Sequence, residues 1–260
     1  MSLKAVSFMT NTGFSRLLSG CPSIEYLSLT SCHGWDVRLS SSRLKYFEIM
    51  CCEIKLGVEE TNLESFKFRG DNGLRHHIVD TRENFYIASC QTLRNLEFFH
   101  THFAGRWFEG LDSRFPLLER LVLNTCSSYS GRINIFSQHL KRFVFCDCGN
   151  IMSNFSMNAP NLSEATITIQ GYNQTYQLRN FLGNFGCSKK IRLHVTDTAV
   201  CIFPEEMRKE RSPPLPRLKH LEVEADTFTT AVTHSALMDS LRWMAPSLEF
   251  LSINRIPYIY

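Results

Sequence analysis

Cysteine and histidine are the residue types whose spacing in this chain comes nearest to chemistry. Cys51 and Cys52 are adjacent, Cys146 and Cys148 flank a single residue, and His76 and His77 are neighbours in a stretch rich in turn residues. Thiolates and imidazoles would suit zinc, which takes a tetrahedral set of ligands, typically as two close pairs. Neither cysteine pair has that spacing or a partner pair, and adjacent residues on an extended strand face opposite ways. There is no Gly-x-x-x-x-Gly-Lys-Ser/Thr phosphate loop, no Gly-x-Ser-x-Gly elbow and no His-Glu-x-x-His helix. The residues therefore predict no metal, no cofactor and no catalytic group, and an enzyme is not expected.

The elements that hold the cysteines give them another role. Cys32, Cys52, Cys126 and Cys148 each fall eight residues after an apolar anchor, at Ile24, Leu44, Leu118 and Leu140. Each anchor opens the phrase apolar-x-x-apolar-x-apolar, as in Ile24-x-x-Leu27-x-Leu29. The phrase opens again at Leu63, Leu93, Leu162, Leu218 and Leu248, and a degenerate copy starts at Ser188. The mean step is roughly 25 residues, inside the range of leucine-rich repeats, which place Asn or Cys just after the strand. A thiol there is a small buried hydrophobe with a weak donor.

This periodicity predicts an α/β fold, a curved solenoid with a parallel sheet on its concave side and mixed helices and loops on its convex side. Residues 1–260 read as a single domain of about ten irregular repeats, with a lead-in over 1–16 and insertions at 70–90 and 197–216. Helical patterns are expected over 176–182 and 235–244. No polar N-terminal cap is apparent, which predicts exposed apolar surface around Leu17, Leu18 and Leu27.

Within each strand the apolar positions point inward, so the residues between them form an outward ladder. Its candidate partner-binding members are Tyr26, Tyr46, Glu48, Lys67, Arg69, Glu97, Phe99, Arg120, Arg142, Arg192, His194, His220 and Glu222. Arg, Tyr and Phe are the types that anchor interfaces, although any solvated sheet face carries polar residues of this kind. An acidic or phosphorylated segment would suit the cations Lys67, Arg69, Arg120, Arg142 and Arg192. The net charge of +3 is too small for a nucleic-acid-binding face. No apolar run is long enough for a membrane span, and the start lacks a signal-peptide core, so a cytoplasmic or nuclear location is expected.

Several phrases resemble plant F-box/leucine-rich-repeat (FBD-like) proteins: Leu17-Leu18-Ser19-Gly20-Cys21-Pro22-Ser23-Ile24-Glu25-Tyr26-Leu27-Ser28-Leu29, Leu44-Lys45-Tyr46-Phe47-Glu48-Ile49, Thr61-Asn62-Leu63-Glu64-Ser65-Phe66-Lys67-Phe68-Arg69-Gly70 and Pro213-Pro214-Leu215-Pro216-Arg217-Leu218-Lys219-His220-Leu221. The resemblance implies the substrate-recognition repeats of an SCF-type ubiquitin ligase, holding a protein substrate on the concave face. In that family an F-box binds a Skp-family adaptor and, through it, a cullin. No F-box precedes the first phrase here, so those two partners are expected only for a longer form. A small-molecule or peptide receptor, with a pocket beside the insertions, and an immune-receptor repeat fragment are the alternatives.

Overall fold

A computed structural model describes residues 1–8, 11–58, 62–70, 78–79, 85–87, 90–103, 107–128, 132–147, 154–170, 175–227 and 234–259. His76, His77, Cys148 and much of the 70–90 insertion lie outside the described residues. The chain is mixed α/β and divides into two compact units, Met1–Gly131 and Arg132–Tyr260.

In the first unit the order is β1 (Ser2–Lys4), β2 (Ser7–Phe8), α1 (Asn11–Ser19), β3 (Tyr26–Thr30), β4 (His33–Leu39), β5 (Tyr46–Met50), β6 (Glu53–Val58) and β7 (Ser65–Arg69). There follow β8 (Ile78–Val79), β9 (Phe85–Ile87), β10 (Asn95–Phe99), β11 (His102–Phe103), α2 (Leu111–Arg114), β12 (Arg120–Asn124) and β13 (Ser127–Ser128). The phrases supply β3, β5, β7, β10 and β12, which lie side by side and parallel, with β1 parallel on the outer edge of β3. Second strands form two smaller parallel groups, β2-β4-β6-β9 and β8-β11-β13.

A left-handed residue sits just past the strand end at Ala5, Ser31, Cys51, His100 and Thr125, with φ between 50° and 54°. Side chains rarely accept this conformation without compensation. The compensation is visible: the N–H groups of Ala5, Ser31, Cys51 and His100 each donate across to the last carbonyl of the neighbouring strand, at 2.8–2.9 Å. The turn also swings the next residue inward. Cys32, Cys52, Thr101 and Cys126 are buried there, each bonding the carbonyl two residues back, at Thr30, Met50, Phe99 and Asn124. Burial pushes the Cys52 thiol up to about 12, so it stays protonated and donates.

In the second unit the order is β14 (Ile133–Phe136), β15 (Arg142–Asp147), β16 (Phe155–Asn158), β17 (Glu164–Ile169), α3 (Thr175–Leu182), β18 (Lys190–Asp197) and α4 (Glu205–Glu210). Then come β19 (His220–Thr227), α5 (His234–Met244), β20 (Phe250–Ile253) and β21 (Ile256–Ile259). The main sheet runs β15-β17-β18-β19-β20, all parallel, and β21 turns back antiparallel on β20. The helical patterns form α3 and α5, which bury Leu178, Phe181 and Leu182, and Leu237, Leu241 and Met244. The 197–216 insertion is a 3-10 turn over Thr198–Cys201, where the Asp197 carboxylate accepts from the Ala199 N–H at 2.9 Å, followed by α4 and a proline-rich loop.

Two expectations need correction. Of Leu17, Leu18 and Leu27, Leu18 and Leu27 are buried and Leu17 is half-buried: β1 pairs along β3, α1 packs on β4, and Phe14 of α1 is fully buried. Ser28, Val122 and Ser252, expected on the solvated ladder, are buried as well. Their side chains are short and stand in register beside longer ones, Glu48, Glu97 and Glu222.

Aromatic side chains link successive strands inside each unit. Phe98 has ring centroids 5.0 Å from both Phe103 and Trp107, and 6.3 Å from Phe66. Phe145 lies 5.0 Å from Phe181, which is 5.2 Å from Phe185. Phe98→Ala would remove the ring that joins two of these strands to the Trp107 cluster. A loss of about 3–5 kcal/mol is expected from urea unfolding. Thiol footprinting of the native chain should modify exposed Cys187 and spare Cys52 and Cys201, whose thiols burial holds at about 12.

Candidate partner-binding face

The ladder side chains occupy the face of each main sheet opposite its apolar core. Zero-shift register between strands puts equivalent positions in rows: Tyr26 opposite Tyr46, Glu48 opposite Lys67, Arg192 opposite Glu222. Side chains in direct or diagonal apposition can then bond.

In the first unit Glu48 is the hub. It accepts a hydrogen bond from the Tyr26 hydroxyl at 2.8 Å and pairs with Lys67 Nζ at 2.7 Å. The Lys67 bond, opposed by partial burial, holds the Glu48 carboxyl below the usual range, and the same carboxylate pushes the Tyr26 hydroxyl up. Tyr26 and Tyr46 stand 44% exposed beside each other, the large aromatic surfaces of this face. Arg69 lays its guanidinium over the Phe99 ring at 4.9 Å, with Lys67 at 5.8 Å from the same ring. Arg120 is paired with Glu97. Burial, with the charge of Arg69, holds His100 below its ordinary value, which favours neutral imidazole.

In the second unit Glu222 is the hub. Its oxygens are taken by Lys190 Nζ at 2.8 Å and Arg192 Nε at 2.7 Å. Burial acts to raise its pKa, but the two cations outweigh it and the carboxyl lies below the usual range. His194 Nε2 lies 3.1 Å from Asp226 Oδ1, and the His220 ring is 6.0 Å from that of Phe250. Arg142 is exposed on β15 and makes no ion pair among the described residues. A depression of about 350 Å³ opens over β17, β18 and β19, lined by Thr166, Thr168, Arg192, Leu193, His194, Glu222 and Glu224.

The structure thus brings Tyr26, Tyr46, Glu48, Lys67, Arg69 and Phe99 into one neighbourhood of the first unit, with Glu97 and Arg120 paired on the adjoining strands. It brings Arg192, His194, His220 and Glu222 together in the second. Three of the five cations expected to receive an acidic segment are already paired with a carboxylate of the same face. Sequence reasoning missed Asp226, and also Arg255, which lies 3.7 Å from Glu224. Neither sits in a phrase. Among the described residues no group of three His, Cys, Asp or Glu side chains could hold a metal ion, and no helix is long and apolar enough to cross a membrane.

The Glu48–Lys67 pair has a pH signature. A carboxyl whose pKa is depressed by folding contributes stability above its unfolded value, near 4.3, and that contribution disappears as pH falls through the lower folded value. Lys67→Met should therefore destabilise at neutral pH by at most about 1 kcal/mol and flatten the loss of stability between neutral and strongly acidic pH. Urea midpoints across that range check it; an unchanged slope would show that the pair carries no linkage. No protein-family model matches the chain, and no curated protein matches it, so the geometry of this face bears the functional reading.

Proposed function

We propose that the chain is a non-catalytic protein-interaction domain built of leucine-rich repeats. Its polar sheet face holds a protein partner, in the manner of the substrate-recognition repeats of an SCF-type F-box protein. The observation that carries the reading is the face itself. Within each unit the register-aligned strands turn polar side chains to one side of the main sheet and the core to the other: exposed tyrosines, a stacked arginine and a braced ion pair in the first unit, a braced ion pair in the second. Aromatic and arginine side chains held rigid before binding lose little entropy on docking, which favours them as anchors. The depression over β17–β19 is lined by charged and hydroxyl side chains with Leu193 as its one aliphatic residue, whereas a typical small-molecule pocket is lined predominantly by apolar side chains. Because the pairs neutralise much of the face, the partner that fits is of mixed charge rather than simply acidic or phosphorylated. A Skp-family adaptor and a cullin would join only through an F-box in a longer form, and the setting would be cytoplasm or nucleus.

Affinity capture from plant extract tests this, comparing the chain with Tyr26→Ala/Tyr46→Ala and Arg142→Glu variants of unchanged melting temperature. Proteins bound by the parent chain should be lost from one or both variants. Grafting an F-box should add the adaptor and cullin without changing the shared set. Identical capture by parent and variants would overturn the face as the binding surface.

A further inference from the structure

We infer that the depression over β17, β18 and β19 is the anchor subsite for a zwitterionic pair of side chains on an extended peptide, a carboxylate received by Arg192 and a cation received by Glu224. This rests on the partner-binding reading of the sheet face and names the chemistry of one part of it.

The division of labour within the depression points there. Glu222 is fully engaged, with one oxygen on Lys190 and the other on Arg192 Nε, so it braces and does not receive. The bond to Nε leaves the two terminal nitrogens of the Arg192 guanidinium without a bond among the described residues. Those nitrogens are the fork that grips a carboxylate in two parallel hydrogen bonds. Glu224 is the opposite case. Its one ion-pair neighbour among the described residues is Arg255, at 3.7 Å, a side chain 90% exposed. So loose a pair costs little to exchange for a ligand cation. The facing wall offers the hydroxyls of Thr166 and Thr168, which make no hydrogen bond among the described residues and can serve a peptide backbone.

Spacing sets the form of the ligand. Arg192 and Glu224 sit on adjacent strands, one rung apart, since Arg192 pairs with Glu222 and His194 with Glu224. Alternate side chains of an extended peptide are about 6.6 Å apart, the same rise as one rung of the sheet. An Asp/Glu-x-Lys/Arg segment lying along the strands matches that rise, and its long side chains span the further gap of about 4.8 Å between β18 and β19, bringing its acid to Arg192 and its base to Glu224. A volume of about 350 Å³ is at the small end for ligand sites and admits two side-chain heads.

The probe is a short blocked peptide carrying Glu-x-Lys between glycines and serines, titrated calorimetrically into the full chain. Saturable binding is expected, weakened about tenfold or more by Arg192→Gln and by Glu224→Gln. Replacing the peptide's own Glu or Lys by Gln should weaken it similarly. Arg192 is 59% exposed, so Arg192→Gln is expected to keep its melting temperature, and Arg192→Lys separates loss of the fork from loss of charge. The Arg192→Gln effect should vanish when the peptide acid is already Gln. No saturable binding, or binding unmoved by either variant, overturns the subsite. Displacement of the peptide by an equal concentration of free glutamate overturns the peptide assignment in favour of a small zwitterion. If Arg192→Gln and Glu224→Gln capture the same extract proteins as the parent while Tyr26→Ala/Tyr46→Ala does not, this inference fails and the wider reading stands.

Discussion

One backbone carbonyl at the entry to each strand sets the register of both main sheets. The residue after each anchor accepts two N–H groups from the next strand. Glu25 O takes those of Lys45 and Tyr46, Lys45 O those of Glu64 and Ser65, Glu64 O those of Arg94 and Asn95, and Arg94 O those of Glu119 and Arg120. The second unit repeats it at Lys141, Ser163, Lys189 and Lys219. A shared acceptor at a fixed position forbids slippage by one residue, a shift that would turn every apolar side chain outward. Spacing between anchors varies from 19 to 30 residues, yet the strands stay aligned, because the extra length goes into the segments between them.

Alignment then decides the electrostatics of the open face. Equivalent positions stack in rows, and some neighbouring phrases of opposite charge pair across them, although Arg142 stands opposite Glu164 without an ion pair among the described residues. Glu48 meets Lys67 directly, while Glu97 meets Arg120 on a diagonal. Each pair is partly exposed and of small worth to stability. Its larger effect is to hold long side chains in one geometry and to spend much of the face's positive charge internally. Recognition by such a surface depends on local arrangement more than on bulk field.

Much of this was legible in the sequence because it rests on side-chain periodicity: period two gives the phrase strands, the inward apolar positions and the outward ladder, and a helical period gives the patterns over 176–182 and 235–244, which form α3 and α5. The cysteine position was legible too, but Thr101 was not recognised as its equivalent in the Leu93 phrase. A hydroxyl there makes the same bond to the carbonyl two residues back that the thiols make. The ion pairs were not legible, since a cation looks the same in one strand whether or not its neighbour is a glutamate. Nor was the burial of Ser28, Val122 and Ser252, which depends on the reach of the side chains on either side.

The least legible feature is how individual strands end, and it comes down to one dihedral angle. In the first unit the left-handed residue at the seventh position past the anchor rotates the chain, so the eighth position points into the core as Cys32, Cys52, Thr101 or Cys126. In the second unit Arg255, seventh after Leu248, is left-handed as well, with φ 68°, but β18 and β19 run straight on to Asp197 and Thr227. Alternation is then uninterrupted: Ile169 and Val195, at the seventh position, are buried, and the eighth position stays on the open side. Gln170, Thr196 and Asp226 stand there, polar and at least partly exposed. The same offset from the anchor thus yields a buried thiol in one half and a solvated carboxylate in the other. That longer run of strand gives the second unit an additional rung of polar side chains, which lets Asp226 reach His194 beside the depression over β17–β19.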